Sequence, residues 1–102
     1  MVGKYKVITL CGSTRFKDAF MKAQAELTLR GDIVVSVGVF KDDLKNVTDV
    51  ESVKEMLDDM HKRKIDMADE IFVINVGGYI GSSTKSEIEY ALSTGKKVNY
   101  LE

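Results

Sequence analysis

Four short apolar runs, separated by segments of helical period, set the strongest limit on what this chain can fold into. Val7–Cys11, Ile33–Phe40, Ile71–Asn75 and Val98–Leu101 are rich in β-branched and other apolar residues. Between the first two, Phe16, Ala19, Phe20, Ala23 and Leu27 recur at the spacing of one helix face. Val53, Met56, Leu57 and Met60 do the same before the third run, and Ile88, Ala91 and Leu92 before the fourth. This alternation calls for an α/β fold, a parallel sheet with helices on both faces. The simplest winding is a small three-layer, Rossmann-like or flavodoxin-like arrangement of four strands in the order 2-1-3-4. In that order the winding reverses between strands 1 and 3. The crevice beyond their carboxyl ends is where such sheets bind ligands.

Caps and charge order set the boundaries. Ser13 or Thr14 is the expected N-cap of the first helix, which runs to about Arg30 and stops at Gly31. Asp49 is placed to cap the second, which runs to about Met67. Its acids, Glu51 and Glu55, come early and His61, Lys62, Arg63 and Lys64 late, the order the helix dipole favours. The near-continuous apolar character of Ile33–Phe40 implies burial on both faces. Residues 1–102 make one domain. With a net charge of -1 and its Lys and Arg spread along the chain, no face for a nucleic-acid polymer is expected. No stretch has the apolar length of a membrane span or a signal peptide. One cysteine excludes an internal disulfide and fits a reducing, cytoplasmic setting. A core this small is marginal alone, so a homodimer or higher homo-oligomer is expected.

Two loops carry the candidate chemistry. Cys11-Gly12-Ser13-Thr14-Arg15 leaves the first strand, and Gly77-Gly78-Tyr79-Ile80-Gly81-Ser82-Ser83 leaves the third. Glycine lets backbone approach a ligand, and a helix start offers free N–H groups and a positive dipole end to an anion. Arg15 opposes the dipole of the helix it begins unless an anion shares the site, where its fork can grip phosphate. Glu87 falls in the first turn of the last helix, an awkward place for a carboxylate beside an anion. The same residues also fit a capping box, Thr84-x-x-Glu87, in which Glu87 only satisfies its own helix end. Cys11 reads as a buried structural thiol, since no histidine pairs with it in a recognisable motif. His61 borders the apolar face of the second helix and fits a half-buried structural residue as well as a functional one. Asp42 and Asp43 read as solvated loop charges, and neither a metal nor a cofactor is expected.

The strand–Cys11-Gly12-Ser13-x-Arg15–helix opening resembles the nucleoside 2-deoxyribosyltransferase-like superfamily, and within it the deoxynucleoside 5′-monophosphate N-glycosidase branch. Ala68-Asp69-Glu70-Ile71-Phe72-Val73-Ile74, the Gly/Ser loop, Glu87-Ile88-x-Tyr90-Ala91 and Gly95-Lys96-Lys97-Val98 extend the likeness over nearly the whole chain. The resemblance implies a small-molecule nucleoside or nucleotide as ligand. It makes Glu87 the nucleophile on a deoxyribosyl carbon, and gives phosphate contacts to Gly12, Ser13 and Arg15 with Gly81, Ser82 and Ser83. It also implies an acid that protonates the departing base, for which Asp66 and His61 are the candidates. The transferases it resembles have an acidic residue where this chain has Gly81-Ser82-Ser83. A nucleotide-binding module that kept the pocket without the chemistry is the alternative.

Overall fold

The computed structural model describes all 102 residues. Four parallel strands, β1 (Val7–Gly12), β2 (Ile33–Val35), β3 (Glu70–Ile74) and β4 (Lys97–Tyr100), alternate with three helices, α1 (Lys17–Arg30), α2 (Val50–Asp66) and α3 (Ser82–Ser93). Their lateral order is β2-β1-β3-β4, as the alternation requires. Both edges of β1 are therefore paired, with Thr9 opposite Val35 on one side and Ile71 on the other.

The two-residue period of a strand divides the core into two layers. Ile8 and Leu10 of β1 and Ile74 of β3 pack with Phe20, Ala23 and Leu27 of α1. Cys11, Ile71 and Val73 face the other way, against Ile65 of α2 and Ala91 of α3. Phe20 is wholly buried, so its truncation to alanine should cost about 3–5 kcal/mol. Asp49 caps α2 as its position implies, its Oδ1 accepting from the Ser52 N–H at 3.3 Å. No helix is long and apolar enough to cross a membrane.

Structure and sequence part at three places. Ile33–Phe40 reads as one strand, but only Ile33–Val35 pairs. Gly38, at φ +81°, helps turn the chain out of the sheet, a conformation that favours glycine. Val37 and Phe40 then pack onto the α1 layer, so their apolar character serves that contact and not a ladder. Because β2 is a sheet edge, Ile33 is 49 % exposed and not buried on both faces. The first helix begins at Lys17 after a Phe16 N-cap, so neither Ser13 nor Thr14 caps it. The Phe16 N–H instead donates to the Ser13 carbonyl at 3.1 Å, closing the turn out of β1. On α2, Val53 and Leu57 are half-buried, whereas Met56 and Met60 remain exposed.

Candidate active site

A cleft of about 340 Å³ lies where the loops leaving β1 and β3 meet, beyond the carboxyl ends of those strands. Gly12, Ser13 and Thr14 form one lip, and Tyr79 with Gly81–Thr84 and Glu87 the other. Lys54, Leu57, Asp58 and His61, on one face of α2, make the back wall, and Val37, Val39 and Leu44 close the side. The volume suits a small molecule. Only five of its sixteen lining residues are hydrophobic, which favours a polar ligand. Gly12 holds this geometry open: at φ +151°, a Cβ there would meet the Ile74 carbonyl oxygen at 2.8 Å.

Three chemically active side chains converge from three elements at the floor. Cys11, next to the last residue of β1, places its Sγ 3.4 Å from His61 Nε2 of α2. The same Nε2 is 3.9 Å from Glu87 Oε1 of α3. All three residues are buried, Glu87 being 8 % exposed. Burial, with the nearby Asp58 carboxylate adding repulsion, raises Glu87 to about 7, against the opposing pull of Cys11 and Lys62. Burial and the Lys64 charge lower His61 to about 4, although the nearby Leu10 backbone works the other way. Burial and the Glu87 charge push the Cys11 thiol well up. At neutral pH the imidazole is therefore uncharged, and its approach to Glu87 is not an ion pair. Cys11 is a protonated thiol there, not a ready nucleophile. A sulfur, an imidazole nitrogen and a carboxylate oxygen nevertheless lie within 4.8 Å of one another, a spacing that could hold a metal ion.

The rim offers donors. The N-cap of α3 is Gly81, without a side-chain cap, and the first intrahelical bond runs from the Lys85 N–H to the Gly81 carbonyl. The N–H groups of Ser82, Ser83 and Thr84 thus have no helical acceptor. Glu87 lies in the second turn of this helix, not the first, and makes no bond to the Thr84 N–H; the capping box does not form. Arg15 stands outside the cleft lining, exposed, with its guanidinium 4.5 Å above the Tyr79 ring. Its Nε donates to Ser13 Oγ at 3.1 Å and its Nη2 to the Tyr79 hydroxyl at 3.3 Å, which ties the two lips together.

Of the residues the sequence singles out, Gly12, Ser13, Gly81, Ser82, Ser83, His61 and Glu87 share the cleft, and Arg15 sits on its rim. Asp66 does not. It is the last residue of α2, and the helix delivers it to the opposite, amino edge of the sheet, where it accepts from the Tyr90 hydroxyl at 2.6 Å. Asp58 is not among them, yet it lines the cleft and bears on Glu87. Its signal was its position three residues before His61, which puts both on one helix face. Cys11 gains the histidine partner that no local motif announces. No protein-family model matches the chain, and no curated protein matches it in sequence.

Proposed function

We propose that this protein breaks the N-glycosidic bond of a deoxynucleoside 5′-monophosphate, by hydrolysis or by transfer to a second base, with Glu87 as nucleophile. The observation that carries the reading is the Glu87 carboxyl, buried at the floor of a polar cleft and held near 7. Strongly shifted groups in a cleft mark candidate catalytic sites. The ionised carboxylate attacks the anomeric carbon; the carbon–nitrogen bond breaks, and its electron pair leaves with the base. A glycosyl ester results, which water hydrolyses to the free sugar phosphate and the original carboxylate. The departing base takes its proton through water in the cleft, with Asp58 and His61 as the adjoining groups. The Ser82–Thr84 N–H groups, Ser13 and Arg15 supply donors for the 5′-phosphate.

The resemblance to the nucleotide N-glycosidase branch agrees with this assignment. One observation favours the alternative, a nucleotide-binding module without turnover: Asp66, one of the two candidate acids, is not in the cleft. A homodimer and a reducing, cytoplasmic setting belong to the same proposal, supported by the exposed Met56 and Met60 on α2 and by the single buried thiol. Incubation with each deoxynucleoside 5′-monophosphate, followed by chromatography, tests the reaction. Free base and deoxyribose 5-phosphate are expected. Calorimetric binding without base release would select the module, and neither binding nor release would sink both readings.

A further inference from the structure

We infer that Cys11 Sγ, His61 Nε2 and Glu87 Oε1 form a three-ligand site for zinc or a similar divalent transition metal, its fourth position open to the cleft. The separations carry this. Tetrahedral zinc at ordinary bond lengths needs about 3.5 Å between sulfur and nitrogen and about 3.4 Å between nitrogen and oxygen. The structure has 3.4 Å and 3.9 Å, and no pair of the three atoms exceeds 4.8 Å. The third edge, sulfur to carboxylate oxygen, needs about 3.5 Å and is at most 4.8 Å, so loading turns the Glu87 side chain toward Cys11. Thiolate and imidazole together select zinc over magnesium or calcium. Charge agrees as well: a dication with one thiolate, one carboxylate and a neutral imidazole sums to zero, so the loaded site is cheap to bury. Loading releases the Cys11 proton, and that of Glu87 where present, to solvent. His61 and Glu87 line the cleft, so the fourth position faces it and takes water or an anionic oxygen. The site stands on its own geometry. Only one corollary rests on the glycosidic reading: a Glu87 oxygen held by metal is withdrawn from attack on the sugar, so zinc inhibits base release.

Cobalt(II) titrated into chelator-treated protein tests the site, because Cys11 is the only thiol in the chain. A strong near-ultraviolet thiolate-to-cobalt band saturating at one equivalent is expected, and zinc should abolish it by displacement. His61→Gln and Glu87→Gln should each weaken cobalt binding by about tenfold or more. No such band in protein shown by circular dichroism to be folded would overturn the site. So would a band of unchanged affinity in both variants, which would mean a lone thiol. Where base release is measurable, saturating zinc is expected to suppress it, and undiminished turnover would overturn the corollary. If chelator-treated, metal-free protein releases no base at all, the glycosidic reading fails and the cobalt band still decides the metal site.

Discussion

Glu87 and His61 exchange a proton when the chain folds. Between the ordinary values of 4.5 and 6.5, an unfolded chain carries a charged imidazole and an ionised carboxylate. In the fold, with Glu87 at about 7 and His61 at about 4, the proton rests on the carboxyl instead. A raised carboxyl contributes its full share below 4.5 and loses it as pH climbs to about 7. A lowered imidazole does the reverse, contributing above 6.5 and losing it as pH falls to about 4. In the shared window the two trends offset, so the pair hides its own pH dependence. Glu87→Gln should unmask a stability that rises with pH up to 6.5, and His61→Gln one that falls between 4.5 and about 7. Each effect is at most about 3 kcal/mol. Asp58, Lys62 and Lys64, which also bear on the pair, are common to both variants and cancel in the comparison. Urea unfolding at a series of pH values reads the slopes, and slopes of the same sign would contradict the assignment.

The elements show which parts of this site the sequence could announce. β1 and β3 were legible because β-branched runs between helical patterns have few other solutions, and their pairing brings the two loops together. The start of α3 was not: Ser82, Ser83 and Thr84 are all good N-caps, yet Gly81 takes the position and moves Glu87 into the second turn. β2 was overread because an apolar run records burial without saying whether a strand or a helix covers it. The Cys11–His61 contact spans fifty residues and follows only from where α2 crosses the sheet. Arg15 joins the lips through Ser13 and Tyr79, and in the proposed complex it turns to the phosphate. Arg15→Ala should therefore weaken deoxynucleoside monophosphate binding about tenfold while barely changing that of the unphosphorylated nucleoside. Equal loss for both ligands in calorimetry would show that Arg15 orders the loops and does not contact phosphate.

At the scale of the whole molecule, the winding reversal between β1 and β3 makes the cleft, and α2 and α3 furnish its reactive wall. The opposite α1 layer supplies no group to the floor triad, so the two sides of the sheet divide support from chemistry. Exposed Met56 and Met60 on the outer side of α2 are the surface through which the proposed dimer would form. Light scattering should give twice the 11.4 kDa chain mass, falling to one chain when both are changed to lysine. A wild-type monomer at assay concentration would remove the dimer from the account. The central claim concerns one carboxylate, and a single variant bears on it most directly. Glu87→Gln keeps the side-chain shape, disturbs no cap and removes a costly buried charge, so the fold and the binding of deoxynucleoside monophosphate should survive. Base release from the bound nucleotide should then fall by several orders of magnitude, because an amide oxygen cannot form the glycosyl ester. A folded Glu87→Gln protein that releases base at the wild-type rate would contradict the nucleophile assignment and the proposed reaction with it.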